Sequence, residues 1–206
     1  MADRLTVTAY HEAAHAVVAH ALGDKVAGAS IVPGRGHSGV TSRDPQQRIG
    51  EDAAAAVGLP LPLQPSSLRR WVEVTCTVAA AGAEGELLAR TEAAPPTPGV
   101  ATALLEAPAP IPERVRKRWV YAELDDLPKS DAEVALDAAW LIAPDITTRM
   151  GLVRLCEAVA RDLVRGHAAA VAAVARALLE HQELAGTDLV QIIEGTDDAS
   201  HEAKAS

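Results

Sequence analysis

At 206 residues the chain is long enough for one domain with a core of its own, and a single domain is the expected organisation. Apolar residues make up 49% of it, yet aromatics are only 2% and Phe is absent, so the core has to be built from Ala, Val, Leu and Ile, which favours closely packed helices. A formal net charge of −9 argues against a nucleic-acid partner, because neutralising phosphates requires clustered Lys and Arg.

The first predicted helix runs from about Thr8 to Leu22, with Thr6 or Thr8 as its cap and Gly23 in the left-handed position that ends it. Val26 to Gly34 alternates small and branched residues and reads as a strand; after the Gly-rich RGHSGVTS turn, Gly39 to Ser42 reads as a second extended piece. A proline-rich connection, Leu59 to Ser67, leads into a long, largely buried helix from Leu68 to about Arg90. Residues Thr91 to Pro112 are rich in Pro and Ala and read as an irregular insertion, a loop rather than a lid. Arg114 to Glu123 reads as a short helix whose basic side chains, Arg114, Arg116, Lys117 and Arg118, form a solvated face. Ser130 followed three residues later by Glu133 is a capping-box pattern ahead of an amphipathic run. Beyond Asp145 the pattern is helical and breaks near Gly166, a short helix covers Thr187 to Ile193, and the polar stretch 195–206 reads as a disordered tail.

Cys76 and Cys156 are far apart in sequence, with neither zinc-knuckle spacing nor the density of a secreted scaffold, and read as buried free thiols in a reducing compartment. No apolar run reaches the ~18 residues that span a bilayer, and no basic region followed by an apolar stretch opens the chain. A cytoplasmic protein without a membrane partner is expected.

Residues 11 to 15 read HEAAH. On a helix, positions i and i+4 stack on one face, so His11 and His15 can offer imidazole nitrogens to one ion. Glu12 stands one step around, where it can take a proton from a water beside the metal, the arrangement of zinc peptidases. The segment from Thr8 to Val17 carries no Pro and no charge besides Glu12, so it is built for burial, where two His and a Glu would be costly without a partner. His20, nine residues after His11, falls on the opposite face, and Ala21 stands where a longer three-histidine motif would need its third ligand. A catalytic zinc takes three protein ligands, so one more has to come from elsewhere. Glu84, in AAAGAEGELLA, and Asp131, in SDAEVALDAA, are the leading candidates, and their own chemistry leaves the two close.

Taken together, TAYHEAAHAVVAHALG, ASIVPGRGHSGVTS, AAAGAEGELLA, SDAEVALDAA and VARALLEHQELAGTDLVQII follow the order of segments in the peptidase domain of the FtsH-type AAA proteases, which the chain resembles from about Thr8 to Ile193. The resemblance implies His11, His15 and Asp131 as zinc ligands, Glu12 as the base, and Glu84 as a residue that orients a ligand. It also implies that Gly39, Val40 and Thr41 form a strand to which an extended peptide substrate adds by main-chain hydrogen bonds, with His37 and Ser38 near the cleft.

Three departures accompany the resemblance. Ala14 replaces the Gly usual at the motif's fourth position, and its methyl is expected to press on a neighbouring strand. The Pro-rich insertion at about 91–112 lengthens the path from Glu84 to Asp131. No GxxxxGK[ST] phosphate loop is present and Met1 lies ten residues ahead of His11, so the domain is expected to work without an ATPase motor of its own, or with a separate ATPase partner; an oligomer is compatible with the family. The expectation is thus a mostly α (α+β), zincin-like domain over residues 1–194 with a small sheet beside the HExxH helix, acting as a zinc-dependent endopeptidase on protein or peptide substrates. The alternative is a zinc-binding regulatory module that keeps the peptidase fold without its activity.

Overall fold

A computed structural model describes residues 2–34, 39–43, 66–92, 130–143 and 145–205. Helix α1, Arg4–Ala21, is followed by strands β1, Val26–Ser30, and β2, Val40–Arg43. Then come α2, Ser66–Glu92, α3, Asp131–Trp140, α4, Ile146–Gly166, and α5, Ala168–His181. Strand β3, Glu183–Ala185, and helix α6, Gly186–Ala205, end the chain. The protein is therefore mostly helical, with one small antiparallel sheet in the order β2-β1-β3. Among the described residues no helix is long and apolar enough to cross a membrane.

Helix α1 begins a turn earlier than its apolar spacing predicts, because Asp3, rather than either Thr, caps it: the Asp3 carboxylate accepts from the Thr6 N–H at 2.7 Å. Gly23 adopts a φ of 76° just past its end, as its position predicts. Every residue from Ala9 to Ala19 except His11 is buried, and most of them are Ala or Val. Small side chains let α1 lie close against α2, and Gly85 is one point of close approach. A Cβ there would run into the Tyr10 main-chain oxygen and stand 2.7 Å from the Ala14 methyl. The extra methyl of Ala14 is thus received by a glycine of α2, and the expectation that it presses on a strand is corrected.

Two apolar clusters share the long helices. One gathers α1, α5, the sheet, the C-terminal parts of α2 and α4, and Leu189 and Ile193 of α6. Val17, Val18, Val171 and Leu178 are fully buried there, and each contributes on the order of 1.5–3 kcal/mol by leaving water. The other joins Leu68, Val72 and Cys76 of α2 to Ala135, Leu136 and Ala139 of α3 and to Val153 and Cys156 of α4. Cys76 and Cys156 are free and buried as expected, and folding brings them into the same apolar cluster. Cys76 Sγ also lies 3.1 Å from the main-chain oxygen of Ala135, tying α2 to α3.

Other local signals are realised with changed limits. Glu133 reaches back to accept from the Ser130 N–H at 2.8 Å and its hydroxyl at 3.0 Å, completing the predicted start of α3. Asp145 caps α4 by accepting from the Thr148 N–H at 2.9 Å. Strand β1 is shorter than the predicted Val26 to Gly34, and β3 is an addition that ELA does not announce; Gln182, at a φ of 65°, turns the chain from α5 into it. Helix α6 continues through 195–205, where the polar composition predicts a disordered tail: helical backbone bonds are internal and do not require an apolar face. Thr91 and Glu92, the predicted start of the Pro-rich insertion at 91–112, belong to the last turn of α2; the rest of that insertion, the basic segment from Arg114 to Arg118, His37 and Ser38 lie outside the described residues.

Candidate metal centre

Three elements meet at the site. Helix α1 presents His11 and His15 one turn apart on a single face, and α3 presents Asp131 from its first turn. Helix α2 passes beside both imidazoles. His11 Nε2 lies 3.0 Å from His15 Nε2 and 3.0 Å from Asp131 Oδ2, and His15 Nε2 lies 3.4 Å from the same oxygen. These three residues form a group that could hold a metal ion. For a tetrahedral ion with bonds near 2.0–2.1 Å, ligand atoms stand about 3.3 Å apart, close to the separations seen.

The opposite ring nitrogens establish what the converging atoms are. His15 Nδ1 lies 2.7 Å from the main-chain oxygen of Val78, which can only accept, so that nitrogen carries the hydrogen and Nε2 of the neutral ring keeps its lone pair. His11 Nδ1 lies 3.0 Å from Glu86 Oε1 and is fixed in the same sense. Two lone pairs and a carboxylate oxygen then point at one another, an arrangement that needs a cation. Burial by itself disfavours the imidazolium of His11, but the carboxylates of Asp131 and Glu86 overcome this and raise its pKa to about 10, so a proton fills the gap when nothing else does. Burial likewise pushes the Asp131 carboxyl upward, and its interactions with His11 and His15 outweigh this, holding the group well below the usual carboxylate range.

A further contact tests whether the site has room for an ion. Gly82 of α2 faces the two rings: a Cβ there would stand 2.6 Å from His11 Nε2 and 2.7 Å from His15 Nε2. The absence of a side chain at residue 82 leaves the α2 side of the paired nitrogens free of a Cβ that would press on both rings. A backbone this close, with three ligand-type atoms converging in front of it, fits a small bound cation.

Glu12 lies next to this group on α1 and is 5% exposed. The Thr41 hydroxyl of β2 lies 2.8 Å from Glu12 Oε2 and 3.0 Å from the Glu12 main-chain oxygen, so that the two acceptors share its one hydrogen. Gly39 closes over the carboxylate from the other side, since a Cβ there would be 2.7 Å from Oε1. Burial raises the Glu12 pKa, against the opposing pull of His15, the Thr41 hydroxyl and His11.

Of the residues singled out from sequence, His11, Glu12, His15 and Asp131 are brought together. Gly39 and Thr41 are there too, against Glu12, while Val40 is exposed and pairs with Ser30 of β1. His20 stands apart from the group, as its helical angle predicts. Glu84 is corrected: it neither joins the three nor touches a ligand, but pairs with Arg161 of α4 at 3.1 Å. The contact to a ligand belongs to Glu86, which also accepts from Arg90 at 3.1 Å. The signal was the helical stripe Val78, Gly82 and Glu86 at intervals of four; Glu84, two residues off it, faces about 160° away. Glu86 is pulled below its ordinary pKa by His11, so it stays ionised as an acceptor for that ring.

No protein-family model matches the chain, and no curated protein matches it.

Proposed function

We propose that the protein is a zinc-dependent endopeptidase that cuts extended protein or peptide segments. The observation that carries this is the convergence of His11 Nε2, His15 Nε2 and Asp131 Oδ2 with their outer partners already satisfied, beside a buried glutamate. Two nitrogens and a carboxylate oxygen are the donor set of catalytic rather than structural zinc sites, which are usually closed by four protein ligands. A zinc ion held there would supply Lewis acidity, polarising a carbonyl and acidifying water. The HEAAH spacing and the resemblance in segment order to FtsH-type peptidase domains support the same reading.

The chain's own residues would then divide the work. Glu12 takes a proton from water as the water oxygen adds to the scissile carbonyl carbon, and returns it to the amine nitrogen as the C–N bond breaks. Burial raises its pKa above the ordinary carboxylate value, the direction that makes the carboxylate a stronger base. Glu86 and the Val78 carbonyl hold the imidazoles in register. Strand β2 lies at one end of the sheet, beside Glu12, where an extended peptide could be added.

The burial of Glu12 favours a second reading, a zinc-binding regulatory module that does no chemistry. The two are separated by zinc analysis of protein purified without chelators, together with cleavage of unfolded casein and a peptide library. One zinc per chain, cleavage that a chelator stops, and a Glu12→Gln variant that keeps zinc but loses cleavage are expected. Zinc-free protein would sink both readings, and zinc-loaded protein that cuts nothing would leave the regulatory module.

A further inference from the structure

Thr41 lies on β2, outside the metal-binding group, and nothing in the HEAAH motif calls for it. Its side chain nevertheless meets Glu12 twice, at the carboxylate Oε2 at 2.8 Å and at the main-chain oxygen at 3.0 Å. The two acceptors belong to one residue, so a single hydroxyl fixes both the helix backbone at Glu12 and the direction of its side chain.

The strand that carries Thr41 is itself held at several points. Thr41 pairs with Ala29 of β1, and two residues on Arg43 binds Asp24 at 2.8 Å, where the chain leaves α1. The Arg43 guanidinium also reaches the Thr75 hydroxyl of α2 at 3.4 Å. On the other side, Gly39 lies so close to the Glu12 carboxylate that a Cβ would stand 2.8 Å from its Cγ. Glu12 is thus clamped between Gly39 and Thr41.

We propose that Thr41 is a positioning residue for Glu12, through which the strand expected to receive an extended peptide also sets the aim of the base. This rests on the peptidase reading and deepens it. A peptide backbone laid beside β2 would act on the strand that holds the carboxylate, so substrates long enough to pair with the strand would be cut faster than short ones of the same scissile sequence.

The test uses the zinc-loaded full chain with Thr41→Val, which keeps the shape and removes the hydroxyl, and Thr41→Ser, which keeps the hydroxyl. Zinc content, kcat and KM on an unfolded peptide are measured, together with the Tm of Thr41→Val, Glu12→Gln and the double variant. The expected result is a loss in kcat of about tenfold or more in Thr41→Val, with zinc content and KM little changed, and recovery in Thr41→Ser. The two changes should also be non-additive in Tm. An unchanged kcat, a loss confined to KM or zinc content, failure of Ser to restore the rate, or additive Tm shifts would overturn the proposal. A zinc-loaded wild type that cuts no peptide overturns the peptidase reading, and with it the catalytic meaning of the contact, whether or not the Tm shifts are additive.

Discussion

Glu86 Oε1 lies 3.0 Å from His11 Nδ1, and this contact orients the ring before any ion arrives. Removing the charge in Glu86→Gln, or the group in Glu86→Ala, should weaken zinc binding by about 10–100-fold, the usual effect of losing a partner behind a ligand. Competition against a chromophoric chelator measures it. Glu84→Gln, which breaks only the pair with Arg161, should leave the affinity unchanged.

Gly82 supplies space instead of a ligand atom. Gly82→Ala places a methyl 2.6 Å from His11 Nε2, and the rings have to swing apart to receive it. Zinc affinity should fall by at least ~10–100-fold although no donor is lost. Circular dichroism should show the helices retained, since Ala is favoured over Gly within a helix by about 1 kcal/mol. Metal content at unchanged affinity for zinc in this variant would contradict the site geometry.

Proton and metal compete for His11. Its pKa of about 10 in the metal-free protein means that the ring is charged at neutral pH, so loading the site should release about one proton per ion. Apparent zinc affinity should then rise about tenfold for each pH unit from neutral toward pH 10 and level off above it. Calorimetry in buffers of different ionisation enthalpy counts the proton. Stability of the metal-free protein follows the same shift. A pKa raised from 6.5 to about 10 means that the folded state holds this proton more tightly than the unfolded one. The contribution of His11 is complete below pH 6.5 and lost as pH climbs toward 10. Asp131, lowered from 3.8, stabilises above that value and its contribution is lost as pH falls below it. The Tm of the metal-free protein should therefore decline from neutral to alkaline pH.

The α1–α2 contact depends on the pairing of Ala14 with Gly85. Gly85→Ala would push a methyl into the Tyr10 carbonyl and the Ala14 side chain, and should cost ~1–3 kcal/mol in urea unfolding as an overpacked core position does. Adding Ala14→Gly should recover only part of this, because the Tyr10 carbonyl remains in the way.

How far the site could be read from sequence follows from which distances the chain encodes locally. His11, Glu12 and His15 lie within five residues on one helix, so the helical period alone brings the imidazoles together. Asp131 lies 116 residues beyond His15, and only the resemblance singled it out from Glu84. The choice between Glu84 and Glu86 depends on the rotational phase of α2, which is set by where Gly82 and Gly85 let it approach α1. Val78, Gly82 and Glu86 mark that face in the sequence, but only the contacts of the two glycines with α1 single it out from the face of Glu84. Strand β3 was illegible for a different reason: its three residues pair with β1 only because Gln182 turns the chain back after α5, and both facts belong to the assembled fold.

The site also straddles a seam. His11 and His15 belong to the helix at the centre of one apolar cluster, while Asp131 opens the helix anchored in the other, where Cys76 ties it to α2. An ion bridging these three atoms would act as a rivet between two clusters that the continuous rods of α2 and α4 also join. Stripping it should loosen α3 ahead of α1, visible as faster amide exchange from Ala132 to Trp140 than from Ala9 to Ala19. Occupancy of the centre would then report on the integrity of the whole chain as much as on its chemistry.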